Sequence, residues 1–343
     1  AHLAHLIHDA AMHWLQPVSS VRQGASVDYR VGIFEKRVLH LFGKVDVDNA
    51  LFRELLVHVS LVFGACGRLA VMPSMLPAIP KSLGTLPLVF SSALSSVLGE
   101  HNPLTLPSVK SAAVILVDGL GRQNLAQRAG HAPFLSKLSA ASKPIYSDFP
   151  STTATSLTGF GTGLRAADHG IVGYAVLEQA SGIVRNMLSG WGAEQDPDVW
   201  QPVETIAERA KAAGVTAYFV GPPDYAFSGF TQLTMRGVTY RPARTIEDRF
   251  QEAAGLLKSS GALVYVYIPE LDQTAHNQGW ESGAWLDRLE QVDALTRELA
   301  GALPKGAGLL LTADHGVIDV PRERQLYLDE IPGAAEHFAA VAG

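Results

Sequence analysis

Between residues 110 and 320 the chain alternates short apolar runs with longer amphipathic stretches. Ala112 to Val117 is a continuous apolar run rich in β-branched residues, the pattern of a strand covered on both faces. Val215 to Val220, Leu263 to Ile268 and Gly308 to Thr312 predict three more strands. Between them, Val203 to Ala213, Ile246 to Lys258 and Ser282 to Leu303 carry the spacing of amphipathic helices. This alternation predicts an α/β fold with a mostly parallel central sheet and helices on both faces. Ligands of such sheets gather at the C-terminal ends of the strands. Ahead of the first strand, Pro80, Gly84, Pro87, Pro103 and Pro107 mark residues 76 to 108 as turns and short helix.

Residues 1–74 differ in character and read as an N-terminal extension, with the functional domain over 75–343 beginning near Met72 or Met75. Six of the 12 histidines (His2, His5, His8, His13, His40 and His58) fall in that first part. The His2, His5, His8 spacing lacks acidic or Cys partners and reads as an amphipathic stretch. Leu55 to Met72 is the most apolar segment, but His58 and Arg68 interrupt it short of the roughly 18–20 residues a spanning helix needs. It reads as a buried helix or strand, although its LVFGAC ending loosely resembles a lipoprotein cleavage box.

Composition narrows the function. A 47% hydrophobic and 17% charged chain of 343 residues can bury a large core. Its net charge of -6 offers no basic surface for nucleic acid, though a small phosphate ester drawn in by cations is compatible with it. The single cysteine, Cys66, excludes an internal disulfide framework and thiolate metal clusters, and is compatible with the cytoplasm. Any metal must be held by His, Asp, Glu or hydroxyl groups.

Three acids sit where the strand rule puts a site: Asp118 ends AAVILVD, Asp272 follows LVYVYIPEL, and Asp314 follows GLLLTA. Converging carboxylates repel one another unless cations lie between them. His276, four residues after Asp272, and His315, beside Asp314, add imidazole, and the mixed donor set suits zinc or a similar divalent ion. The fourth element is FPSTTATSLTGFGTG, Phe149 to Gly163, a hydroxyl-rich turn ahead of a small-residue helix, able to present a hydroxyl and free backbone N–H groups to an anion. Threonine is a poor nucleophile at neutral pH, and metal coordination is one way to activate it. GLGRQN after the first strand imitates a dinucleotide fingerprint, but Asn124 occupies its third glycine position. His169 reads as a loop pin.

VDGLG, FPSTTATS, GTGLRAADHGIVGY, ELDQTAH and TADHG, in this order over roughly residues 110 to 320, resemble the nucleotide pyrophosphatase/phosphodiesterase family of the alkaline phosphatase superfamily. The resemblance implies an α/β/α sandwich, two zinc ions and hydrolysis of a small phosphate ester, a nucleotide among the candidates, through a covalent phospho-threonine. One metal would take Asp118, Thr153, Asp314 and His315, and the other Asp272 and His276. Thr153 matches the nucleophile by standing five places into the FP motif and ten before Gly163. Ser156 stands where the resemblance leads one to expect an Asn that helps hold a phosphoryl oxygen. The second metal is expected to take a further downstream histidine, where this sequence offers only His337, and the domain is therefore expected to be C-terminally incomplete. A phosphomonoesterase, or a non-catalytic protein binding metal or phosphate, are the alternatives. Trp191, Trp200, Tyr225 and Phe227 can either cap a leaving group or pack in the core.

Overall fold

The computed structural model describes residues 84–178, 181–192, 195–325, 327 and 330–332. The expected extension over 1–74, Cys66 and His337 lie outside them. The elements run β1 (Gly84–Thr85), α1 (Pro87–Leu98), β2 (Ser111–Val117), α2 (Arg122–Gln127), α3 (Pro133–Ala141) and β3 (Ile145–Tyr146). Then come α4 (Thr153–Thr162), α5 (Ala166–His169), a hairpin of β4 (Ala175–Glu178) and β5 (Ile183–Asn186), α6 (Pro197–Trp200) and α7 (Ile206–Ala212). The rest is β6 (Thr216–Gly221), α8 (Gly229–Met235), β7 (Thr239–Pro242), α9 (Ile246–Leu256), β8 (Ala262–Ile268), α10 (Glu270–Gln278), α11 (Gly283–Gly301) and β9 (Ala307–Thr312).

Five strands form one parallel sheet in the order β7-β6-β8-β2-β9. Every residue of β2 and β8 is buried, which is why these segments read as unbroken apolar runs. Successive side chains point to opposite faces, and the core divides accordingly. Ala112, Val114, Leu116, Leu263, Tyr265 and Tyr267 pack on one side with Phe90 of α1, Phe160 of α4 and Ile206 of α7. Ala113, Ile115, Val117, Val264, Val266 and Ile268 pack on the other with Leu135, Phe250, Trp285 and Leu289. The predicted α/β/α layering is thus present.

Helix ends follow local chemistry. The predicted helix from Val203 begins at Ile206, because Thr205 and Glu208 form a reciprocal capping box. Thr245 and Asp248 do the same for α9, and the Ser282 side chain caps α11. The 12-residue α1 is longer than the proline-rich lead-in led us to expect: Pro87 sits at its first turn, where a missing N–H costs nothing, and Gly99 ends it in the left-handed conformation.

Helices α4 and α8 approach closely at Gly161, where an added Cβ would lie 2.0 Å from the Thr234 carbonyl oxygen. Alanine gains about 1 kcal/mol over glycine inside a helix, whereas overpacking costs about 1–3 kcal/mol. The obstacle here is backbone, so the clash should win. Gly161→Ala is expected to destabilise the fold by up to about 2 kcal/mol net, lowering the urea midpoint at unchanged slope; a raised midpoint would contradict the contact. Among the described residues no helix is long and apolar enough to cross a membrane.

Candidate active site

The C-terminal ends of β2, β8 and β9 lie side by side, since β2 pairs with both neighbours. Asp118 directly follows β2, its N–H bonded to the Ile268 carbonyl at 3.0 Å, and it caps no helix. Asp314 follows β9 by two residues and is fully buried. Its Oδ1 accepts from the N–H of Gly119 at 3.2 Å and of His315 at 3.0 Å. Asp118, Asp314 and His315 each offer a ligand atom within 4.8 Å of the others.

His315 Nδ1 lies 3.0 Å from the Gly316 carbonyl, an acceptor only, so Nδ1 carries the proton and Nε2 turns inward. Nε2 is 3.1 Å from Thr153 Oγ1, 3.2 Å from Asp118 Oδ1 and 3.6 Å from Asp314 Oδ2. Asp272, in the first turn of α10, reaches towards the same end of β2: a Cβ on Gly119 would lie 3.0 Å from its Oδ1. His276 does not join the cluster; it pairs with Asp272 Oδ2 at 3.3 Å, and its side chain is 79% exposed.

One buried oxygen on each carboxylate, Asp118 Oδ1, Asp272 Oδ1 and Asp314 Oδ2, has no hydrogen-bond partner. Buried polar atoms left unpaired are costly, and three acidic ones at one mouth fit the ligand set of a divalent cation. Burial and the neighbouring Asp118 charge hold the Asp314 carboxyl well above its ordinary range, and the same two causes raise Asp272. Burial alone would lower the His315 imidazole, but the adjacent Asp118 and Asp314 carboxylates outweigh it and raise it to about 10.

Thr152 and Thr153 separate clearly in role. The Thr152 side chain caps α4, accepting from the Thr155 N–H at 3.4 Å, while half-buried Thr153 opens the helix and faces His315. The first N–H groups of α4 have no partner within the helix. Ser156 lies one turn further along the same face, its hydroxyl buried and unpaired. His169 is buried beside this helix; its Nδ1 accepts from the Ile171 N–H at 3.2 Å, and burial lowers it to about 4 against the pull of Asp148 and Asp168. Neutral and turned into a loop, it stands apart from the carboxylates.

Several supporting residues escaped sequence reasoning. The Tyr267 hydroxyl donates to Asp118 Oδ2 at 2.5 Å, and burial with the Asp118 charge holds that phenol well above its usual range. Fully buried Arg249 donates to the Tyr267 carbonyl at 3.1 Å and pairs with Glu270. Asn124, noticed only as a misfit in a glycine fingerprint, clasps the loop after His315, donating to the Val317 carbonyl at 2.8 Å and accepting its N–H at 3.2 Å. A Cβ on Gly121 would lie 2.6 Å from Gly316, so the first turn of α2 and the His315 loop touch through backbone. The aromatics divide: Trp191 and Trp200 pack edge-to-face against the core, Tyr225 sits beside Tyr267 with its hydroxyl accepting from Gln273, and Phe227 is exposed.

The family model described as type I phosphodiesterase / nucleotide pyrophosphatase matches residues 112–342. The chain belongs to this family. The matched span holds every residue of the phosphodiesterase-family cluster just described, from Asp118 to His315. Phosphopentomutases from Shewanella putrefaciens and from another Shewanella strain are 26% identical over 148 residues, which are 42% of this chain. The chain spans 35% of the length of these curated relatives. Two solved structures of murine ectonucleotide pyrophosphatase/phosphodiesterase 5, one an inactive variant in complex with AMP, are 19% identical. Each covers 64% of this phosphodiesterase-family chain and is itself covered over 60%, at a TM-score of 0.49.

Proposed function

We propose that the chain hydrolyses phosphate diester or pyrophosphate bonds in a divalent-cation-dependent reaction that passes through a phosphorylated Thr153. The observation that carries this reading is the Thr153 hydroxyl, 3.1 Å from His315 Nε2 at the mouth of a carboxylate cluster. Asp118, Thr153, Asp314 and His315 would hold one cation and Asp272 with His276 a second, both zinc by the donor types. Such cations, when bound, lower the pKa of a nearby hydroxyl and offset the negative charge of the carboxylates and of the phosphoryl group.

Thr153 Oγ1 attacks phosphorus in line with the leaving oxygen, losing its proton to solvent. The Oγ1–P bond forms as the bond to the leaving group breaks, and the leaving oxygen takes up a proton from water. A water molecule then attacks the threonyl ester from the vacated side, releasing the phosphate product and restoring the hydroxyl. The Thr153 N–H and the Ser156 hydroxyl are the donors proposed to hold a phosphoryl oxygen through both steps.

Charge favours a diester. Among the described residues no Lys or Arg side chain hydrogen-bonds or ion-pairs with Asp118, Thr153, Asp272, Asp314 or His315, so no fixed cation of the chain is engaged there for the extra charge of a monoester. A nucleotide substrate rests on the family description alone. With zinc added, bis(4-nitrophenyl) phosphate should be turned over at a higher kcat/KM than 4-nitrophenyl phosphate. The reverse order would replace the diesterase with a monoesterase. Turnover of neither, with one zinc or none bound per chain, would leave a non-catalytic binding protein.

A further inference from the structure

The two oxygens of Asp118 have different surroundings. Oδ1 has no hydrogen-bond partner and lies 3.2 Å from His315 Nε2, inside the carboxylate cluster. Oδ2 accepts the Tyr267 hydroxyl at 2.5 Å, a charge-assisted geometry. The phenol is itself fixed. Tyr267 is the penultimate residue of β8, its ring stands 6.0–6.5 Å from those of Tyr225, Tyr265 and Phe219, and its carbonyl is held by the buried guanidinium of Arg249. Because β8 and β2 pair in parallel with Leu116 opposite Tyr267, the register brings this ring alongside the strand end that carries Asp118.

We propose that Tyr267 is a positioning residue that makes Asp118 a one-oxygen ligand, occupying Oδ2 so that Oδ1 alone is presented to a divalent cation. The inference rests on the reading that Asp118, Asp314 and His315 hold such a cation, and it deepens that reading by assigning a cause to the coordination mode. A carboxylate free at both oxygens can rotate or chelate through both; with one oxygen tied to a rigid phenol it does neither. Groups that orient a metal ligand in this way are typically worth 10–100-fold in metal affinity. A purely structural role, filling space and satisfying a buried carboxylate, makes a different forecast, because it acts on the metal-free fold and leaves the geometry of a bound ion alone.

The test uses cobalt(II) as the probe, with affinity measured against a competing chelator and the visible d–d spectrum recorded on the full chain. Tyr267→Phe keeps the ring and removes only the hydroxyl. It should weaken cobalt binding about 10–100-fold and change the band positions and intensity, a spectral change that the loss of a hydrogen bond from the metal-free fold does not by itself produce. In an Asp118→Asn background the same substitution should have almost no further effect on affinity, since the two residues act as one unit. An unchanged affinity and spectrum in Tyr267→Phe, or losses that simply add in the double variant, would overturn the proposal while leaving the hydrolase reading intact. If the unsubstituted protein bound no cobalt, both would fall together.

Discussion

Thr153→Ala is expected to reduce turnover of bis(4-nitrophenyl) phosphate by at least about 10³-fold, equivalent to about 4 kcal/mol of transition-state stabilisation. The size follows from what is removed. Neither Thr152 nor Ser156 is placed to substitute: Thr152 is committed to capping α4, and Ser156 is a full turn deeper and buried. Asp118, Asp314 and His315 remain, so metal content measured by mass spectrometry should be close to that of the unsubstituted protein. Thr153→Ser, which retains a hydroxyl at the same place, should keep a substantial part of the activity. Turnover that survived the alanine substitution unchanged would remove Thr153 from the reaction.

Asp314→Asn should act in opposite directions on the metal-free and metal-loaded protein. The Asn oxygen can still accept the two backbone N–H bonds of Oδ1, while its amide replaces the unpaired Oδ2 with a group that never takes up the charge that burial and Asp118 oppose. The linkage sign is definite. Asp314 is raised well above 3.8 in the folded state, so the metal-free fold keeps a proton that the unfolded chain has lost, and stability falls as pH rises above about 4. His315, raised from 6.5 to about 10, adds stability that is complete below about 6.5 and is lost on the way to 10. Both contributions weaken the metal-free protein at alkaline pH. The substitution deletes the first and trims the second, so at pH 8 the metal-free variant should melt higher than its parent, with a flatter pH profile. Zinc affinity should meanwhile fall by more than about 100-fold, because a ligand is lost and even outer partners are worth 10–100-fold. Parallel pH profiles, or undiminished zinc binding, would contradict this account.

The parallel sheet was legible because its central strands are apolar on both faces: Ala112–Val117 and Leu263–Ile268 have no other sensible reading. Asp118 was legible for a related reason, since a charge that abruptly ends such a run sits at a strand terminus, whereas Asp272, expected at a strand end, lies in the first turn of α10. Tyr267 was not, because a tyrosine among Val and Ile looks the same whether its hydroxyl meets water or a carboxylate. Asn124 was hidden differently: its partner, Val317, is 193 residues away, and no local pattern announces a clasp of that span. α1 was underestimated because prolines count against a helix until one of them is seen to begin it. The relation of His276 to the other candidate ligands depends on the tilt of α10, which the spacing of Asp272 and His276 leaves open.

The bond between the Gly119 N–H and Asp314 closes a loop of 195 residues, and among the described residues β9 is the last strand of the sheet in chain order. During synthesis, then, Asp118 and Asp272 emerge before Asp314 and His315. For that interval the nascent protein carries only part of the proposed ligand set, and a cation bound by the whole of that set can be captured only once β9 has docked. Any fragment that stops short of β9 therefore lacks half of the Asp118, Thr153, Asp314 and His315 set proposed to hold the first cation.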